Sequence, residues 1–444
     1  DDDKNGLVDD INGWNFLGGK DGQVMEKLMQ EGDREFLRLK EKYGDYLQGR
    51  EGEYFKIIDG KRTKVAPPEN LAEYTYFMSH VVPESEIGRY YLGSQAAYTY
   101  QEYGQIFKEE LEKKYPGKEL TATEFATCYD PKAPADPLRD RAFTMIAMGF
   151  NIYKTPFVYK NFVNKIVAES QKDYERTLKG YGSDGRADIV GDDYMDINDN
   201  KYGNNVLLTS EAGMGTMQAG VIGGKRDNDL GGNGIMDQAE IMCLRVSASR
   251  GEPYMKDMAL AIRYAVDHKA DVIVLPQQNT LYPEGQGQWV AEALRYAESK
   301  GVLVIVPVWE LSRDLSKQTF FPNRWMDGEK ELTNLMVVAS SDKNGNPSLN
   351  SNYGAKELDL FAPGMDIYSS YMGDTYQTGS GAGLSSATVA GVAALVKAYY
   401  PNLTGSQIRN ILLKTVTSRK GVEVEKGIIV NNKQTQDLFL FEDL

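Results

Sequence analysis

The sequence is poor in cysteine and in histidine. Only two cysteines, Cys128 and Cys243, occur in 444 residues, which is too few for a disulfide framework. Whether these two pair is left open, and Cys243 is expected to be buried because it lies in an apolar, strand-like run. The two histidines, His80 and His268, are predicted to be packing or surface residues of helices, so neither is expected to act as a base or a metal ligand.

Long apolar runs and an excess of positive charge are also missing. No run of eighteen apolar residues is present, so we expect no membrane-spanning segment in this chain. The 50 basic residues are outnumbered by 64 acidic ones, and the net charge of −14 disfavours nucleic acid as a partner. No signal peptide is visible, and we interpret the chain as a trimmed or mature product whose leader would not be seen.

The first sixteen residues are acidic and carry a pattern that is typical of calcium-binding loops. Asp1, Asp3, Asn5 and Asp9 are spaced like the ligands in the front half of such a loop, where alternate carboxylates surround a hard cation. Asn12 stands where a bidentate glutamate would strengthen the site, so the expected affinity for Ca²⁺ is low. A solvated acidic turn and the remnant of an expression tag are the alternatives.

Residues 20–185 are charged, rich in tyrosine and helical in their apolar spacing. Helices are predicted over 25–46, 70–80, 96–114, 121–128, 136–152 and 157–178. Residues 186–205 are predicted to form a short strand followed by an acidic loop. Its carboxylates could hold a cation, although a solvated loop fits their spacing better; they are Asp192, Asp193, Asp196 and Asp199.

From residue 206 onwards, short apolar strands alternate with amphipathic helices. This alternation predicts an α/β fold with a doubly wound parallel sheet, because helices connect parallel strands and cover both faces of the sheet. Ligands of such sheets bind at the carboxyl ends of the strands. Glycine-rich turns at Gly213 and over 379–383 fall at strand-to-helix junctions, where a site is expected.

The second of these turns opens an apolar helix that is rich in small residues. A glycine-rich helix start allows another backbone or a ligand to approach closely. The stretch resembles the nucleophile helix of subtilisin-like serine proteases (the subtilases, peptidase family S8), whose pattern is Gly-Thr-Ser-Met-Ala-Ala/Ser-Pro-x-Val-Ala-Gly. When the two are aligned on Val389, Ala390 and Gly391, Gly383 takes the position of the catalytic serine.

The resemblance implies that other chemical positions are also vacated. The family motif His-Gly-Thr-x-Val-Ala-Gly corresponds to residues 214–220, which places Met214 at the general base. A thioether cannot accept a proton near neutral pH. Trp309 is assigned to the position of the oxyanion asparagine, where its side chain would fill space used by a substrate carbonyl.

The substrate-binding strand of the family corresponds to Pro276, Gln277 and Gln278. Proline has no N–H, so one hydrogen bond to an extended peptide is lost, and the two glutamines do not build an apolar pocket. The hydroxyls of Ser380, Ser385 and Ser386 are expected to point away from the nucleophile position, since each residue turns a helix by about 100°. No serine oxygen is therefore expected to be hydrogen-bonded to an imidazole.

The resemblance also predicts the organisation of the chain. It implies an acidic segment (1–19), a helical insertion (20–185), a subtilisin-like α/β domain (186–420) and a C-terminal extension (421–444). Residues 1–16 resemble a segment that follows the strand bearing the catalytic aspartate, so that strand is expected upstream of Asp1. The central sheet should then have an open inner edge, which an upstream segment or a partner would fill.

The motifs that build the fold are kept, whereas the residues expected to carry out catalysis are replaced. This combination favours a proteolytically inactive homologue that works by binding. We expect an exported accessory or scaffold subunit of a cell-surface assembly in a Gram-negative bacterium, at the outer-membrane surface or in the periplasm, lipid-anchored upstream, with a protein or peptide partner. One alternative is a serine endopeptidase or metal-assisted hydrolase with relocated residues, such as Glu310 and the acidic loop 192–199. The other is a peptide- or glycan-binding module that uses Trp309, Trp325 and the tyrosine-rich insertion.

Overall fold

Two units, each built from its own parts of the chain, make up the structure. The computed structural model describes residues 7, 12–48, 52–58, 61–130, 139–140, 142–144, 146–148, 157–210, 212–248, 251–283, 285–326, 328, 330–430 and 433–444. One unit, here the sheet unit, comprises Asp1–Glu31 and Asp184–Leu444. The other, here the inserted unit, comprises Gly32–Ser183. The insertion expected from composition spans 20–185, so the two divisions differ mainly at the N-terminal boundary.

Fifteen strands lie within the described residues. In chain order they are β1 Gly13–Asn15, β2 Tyr46–Gln48, β3 Tyr54–Ile58, β4 Lys61–Val65, β5 Glu119–Leu120, β6 Phe157–Val158, β7 Cys243–Arg245, β8 Val272–Val274, β9 Leu303–Pro307, β10 Leu335–Ser341, β11 Leu360–Pro363, β12 Ile367–Tyr371, β13 Thr375–Gly379, β14 Glu423–Val430 and β15 Lys433–Leu440.

The described helices lie between these strands, singly or in runs of two or three. They are α1 Glu31–Tyr43, α2 Leu71–Tyr76, α3 Val82–Glu84, α4 Glu86–Lys114, α5 Ala122–Ala126, α6 Tyr159–Tyr181, α7 Arg186–Ile189, α8 Gly213–Gly223, α9 Met255–Asp267, α10 Gln286–Ser299, α11 Ala382–Tyr399 and α12 Gly405–Thr415, with a π-helical turn at Phe77–Val81 and a 3₁₀ turn at Phe441–Asp443.

A four-stranded parallel sheet in the order β11–β10–β9–β8 forms the centre of the sheet unit. All of β9 is buried, as expected of a strand covered on both faces. Its side chains alternate between the two faces: Val304 and Val306 pack with α9 and α10, whereas Leu303 and Ile305 pack with α11 and α12. The predicted α/β fold with a parallel sheet covered by helices is therefore confirmed.

Among the described residues, the parallel strands fall into two separate sheets. β1 and β7 pair in parallel, and β8 pairs in parallel with β9. Among the described residues, no strand joins β7 to β8, so the two sheets stay separate. The helix α9 connects β7 to β8, with Ala261 in the core beside β7 and Ile262 in the core beside β9.

Two antiparallel hairpins, which the sequence analysis did not predict, complete the sheet unit. β12 and β13 pair immediately before α11, and β14 pairs with β15 at the C-terminus. The C-terminal hairpin is anchored where Gly427 N–H and Lys426 Nζ both donate to the carbonyl of Leu349. The predicted C-terminal extension, 421–444, is thus an ordered part of this unit.

The inserted unit contains helices and a small antiparallel sheet. Its core is aromatic: the ring of Phe36 lies 5.6 Å from that of Phe77 and 5.4 Å from that of Tyr91. The predicted helix 25–46 is shorter, since α1 covers only Glu31–Tyr43 and is followed by the three-stranded sheet β2–β3–β4. These strands are short and have no regular alternation of apolar and polar residues, so periodicity did not predict them.

Two local predictions are wrong. Residues 186–189 form the short helix α7 rather than a strand, because Arg186 turns into a buried ion-pair network described below. Cys243 is exposed rather than buried, and it lies on β7, which among the described residues pairs only with β1. Cys128 is buried, and both cysteines are free thiols.

One described helix has the length and composition of a membrane span. Residues Ala382–Tyr399 form α11, of which half is buried inside the sheet unit. This apolar helix was not counted in the sequence analysis because Lys397 and several small polar residues interrupt it. It packs on β9 and β10, as a core helix does.

Candidate functional site

The candidate site is built around the first turn of α11. Gly381 has a φ of 141°, which glycine adopts without the strain of a side chain, and it allows the helix to begin at Ala382. Gly381 N–H donates to the carbonyl of Gly364, directly after β11, at 2.8 Å. The first turn of α11 is thereby fixed at the carboxyl end of a parallel strand, where ligands of such sheets bind.

Met214 and Gly383 lie side by side at this turn. A Cβ atom built on Gly383 would lie 3.8 Å from Sδ of Met214, which stands near the start of α8. The Met214 side chain is 46% exposed, so the pair opens to solvent. The two positions that the motifs assign to base and nucleophile are therefore neighbours in space, and they carry a thioether and a hydrogen atom.

A third side chain, which sequence reasoning missed, lies on the same face of α8. Gln218 is four residues after Met214 and donates a hydrogen bond of 3.0 Å from Nε2 to the carbonyl of Gly383. A Cβ atom on Gly383 would lie 3.3 Å from this nitrogen. The family motif has valine at this position. The replacement of this valine by a polar glutamine was the feature of the sequence that could have pointed to Gln218.

The structure corrects the position assigned to Trp309. Its indole N–H donates to the carbonyl of Gln278, and its ring packs against the core beside α9 and α10. It is Glu310 that reaches the glycine turn, with Oε2 3.6 Å from the position of a Cβ atom on Gly381. Successive side chains of an extended segment point to opposite sides. If the alignment is moved by one residue, Glu310 rather than Trp309 points towards the glycine turn.

A carboxylate therefore occupies the place where an oxyanion donor is expected. Glu310 Oε1 accepts a hydrogen bond of 2.6 Å from Ser340 Oγ. An ionised carboxylate accepts hydrogen bonds and cannot donate one. It would repel the negative charge that develops on a substrate carbonyl during acyl transfer.

Residues 276–278, which the sequence analysis assigned to the substrate-binding strand, follow β8 without forming a strand, and both glutamines are engaged in internal hydrogen bonds. Gln278 is buried, and its side-chain nitrogen donates to the carbonyl of Pro322 at 3.0 Å. Its own carbonyl accepts from Trp309. The next residue, Asn279, exchanges backbone hydrogen bonds with Phe321. Gln277 donates to the carbonyl of Gly251 at 3.1 Å, so both glutamines tie this segment to neighbouring loops.

Comparison with known proteins decides the family. The subtilase family model matches residues 148–434, which is more than half of the chain. The chain belongs to the subtilase family. Subtilisin BL from Lederbergia lenta is 31% identical over 219 residues, which are 49% of this chain and 76% of that protein. Thermitase from Thermoactinomyces vulgaris is 32% identical over 184 residues, which are 41% of this chain and 61% of that protein.

Parts of some solved structures are similar to part of this chain. A cold-adapted subtilisin-like serine proteinase matches with 25% sequence identity and a TM-score of 0.38. The match covers 46% of this chain and 67% of that one.

The serines near the nucleophile position of this subtilase do not direct their hydroxyls towards that position. Ser385 Oγ donates to the carbonyl of Ala362 at 2.9 Å, and Ser380 Oγ accepts from Asp366 N–H at 2.9 Å. Ser386 Oγ is buried without a hydrogen-bond partner. In the part of the chain that the structure describes, none of these three hydroxyls is hydrogen-bonded to Met214 or to Gly383.

The expectation that no serine is bonded to an imidazole is wrong in one place. Ser79 Oγ lies 2.8 Å from Nδ1 of the adjacent His80, in the inserted unit. The same hydroxyl donates to the carbonyl of Thr75 at 2.6 Å, so its proton is directed at the backbone rather than at the imidazole. His268 stacks on Tyr264, and its Nδ1 lies 2.8 Å from that residue's carbonyl.

The predicted calcium ligands fall outside the described residues. Asp1, Asp3, Asn5 and Asp9 have no described placement, so the Ca²⁺ site stays a prediction. Among the residues that are described, no cluster of three acidic, histidine or cysteine side chains is arranged to hold a metal. In the acidic loop, Asp193 accepts from Met195 N–H and Asp196 accepts from Asn198 N–H, as in ordinary turns.

Asp192 of that loop belongs to a buried ion-pair network. Arg186 binds Asp192 and Asp257 with two hydrogen bonds each, at 2.6–2.8 Å. Lys256 Nζ adds a contact of 2.7 Å to Asp192, and Tyr202 donates to Asp257 at 2.5 Å. Burial alone would raise the pKa of Asp192, but the hydrogen bonds and charges of Arg186 and Lys256 hold it below its ordinary value. The network fixes the acidic loop to the start of α9.

A second buried cation lies under the C-terminal hairpin. Lys426 is fully buried, and its Nζ donates to the carbonyl of Leu349 at 2.7 Å. Burial lowers the pKa of Lys426 to about 8, although the nearby charge of Glu310 acts to raise it.

Trp325, the aromatic residue of the binding-module alternative, is 44% exposed, and the Arg324 guanidinium lies 4.6 Å from its ring centre.

Proposed function

We propose that this subtilase is proteolytically inactive and acts as a binding or scaffold subunit of a cell-surface assembly. The observation that carries the proposal is the pair formed by Met214 and Gly383, whose atoms are close enough for a base and a nucleophile but supply neither. The curated relatives carry the names of proteases, and the proposal therefore concerns what this chain has lost.

The size of each loss supports the proposal. Loss of one oxyanion donor costs a factor of about 10²–10³ in rate, and Glu310 replaces a donor by an acceptor. Without triad members, the catalysis that remains in a serine protease comes from the oxyanion hole and from substrate binding. In this chain the Glu310 carboxylate faces that hole, and the segment assigned to substrate binding is bonded to Trp309. No interaction that would accelerate peptide hydrolysis appreciably is left.

Peptide turnover tests the proposal. Incubation with a library of fluorogenic peptides at pH 6–9 is expected to give no hydrolysis above buffer, because no described side chain at the cleft can attack a carbonyl. The assay is repeated with EDTA and with added Zn²⁺ or Ca²⁺, which examines the metal-assisted alternative in the same plate. A Glu310→Gln variant serves as the matched control and should also be silent. Turnover that disappears in Glu310→Gln would establish a relocated hydrolase instead.

The binding role is tested on the native complex. An exported scaffold subunit is expected to co-purify in fixed stoichiometry with a defined partner when outer membranes are solubilised, and a lipid anchor would appear in the intact mass of the full-length protein. Substitution of Trp309 by alanine frees the Gln278 carbonyl, so it should alter partner affinity if the partner contacts this segment. A protein that is monomeric and freely secreted would contradict the scaffold role.

A further inference from the structure

Two tyrosine rings stand on the outer face of the hairpin formed by β12 and β13. The register pairs Tyr368 with Thr378 and Ser370 with Tyr376, so the two tyrosines are diagonal neighbours on one face. Their ring centres lie 6.0 Å apart, and the two residues are 52% and 37% exposed. Large aromatic side chains that stay exposed together are typical of surfaces that bind other proteins.

The other face of this hairpin is fixed to the helix α8. Ser369 Oγ donates a hydrogen bond of 2.8 Å to the carbonyl of Met217 on α8. The ring of Tyr371 lies so close to Gly213 that a Cβ atom on this glycine would be 2.6 Å from Cε2 of the ring. Since successive side chains of a strand point to opposite faces, these contacts turn Tyr368 away from α8. The tyrosine pair is therefore presented to the outside by a hairpin that is held in place on its other side.

A glycine-rich loop that follows α8 lies along the two tyrosines. A Cβ atom on Gly231 would collide with Cε1 of Tyr376, and one on Gly232 would lie 3.0 Å from the carbonyl oxygen of Tyr368. Because both loop residues lack side chains, the loop approaches the hairpin closely, and the two form one continuous surface. The preceding Leu230 is 60% exposed and extends the apolar part of this surface.

This surface has an excess of negative charge. Residues 225–240 and 366–380 contain six acidic side chains and two basic ones. One of the two cations, Arg226, is bound to the backbone, since its Nε donates to the carbonyl of Gly234 at 2.8 Å. Four exposed carboxylates border the tyrosines and the glycine-rich loop and form no ion pair with any residue that the structure describes; they are Asp227, Asp229, Asp366 and Asp374. Carboxylates without counter-ions beside aromatic rings are complementary to a positively charged ligand.

We propose that this tyrosine face, defined as Tyr368, Tyr376 and Leu230 with the four bordering aspartates, binds a basic segment of a partner protein. Cations bind to the faces of tyrosine rings, and the arginine guanidinium also stacks on them. The aspartates accept the hydrogen bonds of the same cations. The net charge of −14 attracts such a segment from a longer distance. The inference rests on the proposed binding role and names the chemistry of the partner.

Fluorescence anisotropy with three labelled probes tests the proposal. They are a peptide of about twelve residues that alternates arginine and serine, the same peptide with glutamate in place of arginine, and a hexamer of N-acetylglucosamine. At about 50 mM salt the arginine peptide should bind at least about tenfold more tightly than the other two probes. Its affinity should fall at least about tenfold at about 300 mM salt, because salt screens exposed charges. Equal binding of the two peptides, or tighter binding of the sugar, would overturn the proposal.

Tyrosine variants locate the binding on this face. Tyr368→Ala combined with Tyr376→Ala should weaken binding of the arginine peptide at least about tenfold, whereas the corresponding pair of phenylalanine substitutions should keep it, because the rings remain. Tyr399→Ala is the matched control, since it removes a 75% exposed tyrosine from α11, and it should leave the affinity unchanged. If the alanine pair binds the peptide as tightly as Tyr399→Ala does, the tyrosine face is not the binding site.

Charge variants examine the aspartates in the same assay. Asp227→Asn combined with Asp229→Asn should weaken binding of the arginine peptide about threefold or more and make it less sensitive to salt. Asp437→Asn removes an exposed carboxylate from β15 and should leave both quantities unchanged. Equal effects of the two changes would show that binding follows the net charge of the protein rather than this face.

The native complex separates this inference from the proposed function. Loss of the co-purified partner from the alanine pair, with retention in the phenylalanine pair, would support both. A partner that still co-purifies with the alanine pair in fixed stoichiometry would overturn the tyrosine face and leave the scaffold role intact. Absence of any partner from the unmodified protein would contradict the scaffold role itself.

Discussion

Arg186→Met is expected to destabilise the sheet unit by about 3–5 kcal/mol. The substitution removes the guanidinium that binds two buried carboxylates, Asp192 and Asp257, and leaves them without their shared cation. An uncompensated buried charge costs more than the pair contributed, which is why the expected effect is large. Urea unfolding followed by tryptophan fluorescence measures it.

Two comparisons make this result specific. Arg263→Met removes a half-exposed cation whose contact with Glu292 is 3.5 Å, and it should change stability by no more than about 0.5 kcal/mol. The stabilising effect of Arg186 should also depend on pH. Since the pKa of Asp192 is held below its ordinary value of 3.8, the contribution is present above that pH and is lost as the pH falls below it. A small effect of Arg186→Met at pH 7 would contradict the account of this network.

A triple variant is expected to create a reactive serine at this turn, where the chain has none. It combines Met214→His, Glu310→Asn and Gly383→Ser. A Cβ atom at residue 383 meets only the end of the Gln218 side chain and Met214 Sδ, so a serine fits with a small movement of the glutamine amide. A histidine at 214 would then lie beside the new hydroxyl and accept its proton. The measurement is the rate of covalent labelling by a serine-directed fluorophosphonate.

The double variant that keeps Glu310 isolates the oxyanion position. Because the carboxylate faces the glycine turn, Met214→His with Gly383→Ser should be labelled about 10²–10³-fold more slowly than the triple variant. If Trp309 rather than Glu310 held the oxyanion position, Trp309→Asn and not Glu310→Asn would produce the gain. Equal labelling of the double and triple variants would show that the carboxylate plays no part at this site.

Sequence motifs predicted the part of the site that lies in two glycine-rich helix starts. Met214 lies in a seven-residue pattern and Gly383 in an eleven-residue pattern, and the glycines of both are needed for close packing, so their positions could be read without a structure. The oxyanion position was misplaced by one residue, because the segment after β9 carries no glycine to fix the alignment and both Trp309 and Glu310 follow an apolar strand.

Other features depend on partners far apart in the chain. Arg186 and Asp257 form their ion pair across 71 residues, and the sequence shows each only as an ordinary charged residue. The exposure of Cys243 depends on the place of β7 in a two-stranded sheet with β1, which its apolar neighbours in the sequence do not reveal. Parallel strands and amphipathic helices, in contrast, have local periodicities, and these were sufficient to predict the fold class.

The most direct test of the vacated site is the intact mass of the unmodified protein after prolonged exposure to a fluorophosphonate, with the triple variant in the same experiment. The account predicts no adduct on the unmodified chain and one adduct, at residue 383, on the variant. An adduct on any serine of the unmodified chain that is lost on denaturation before labelling would contradict it.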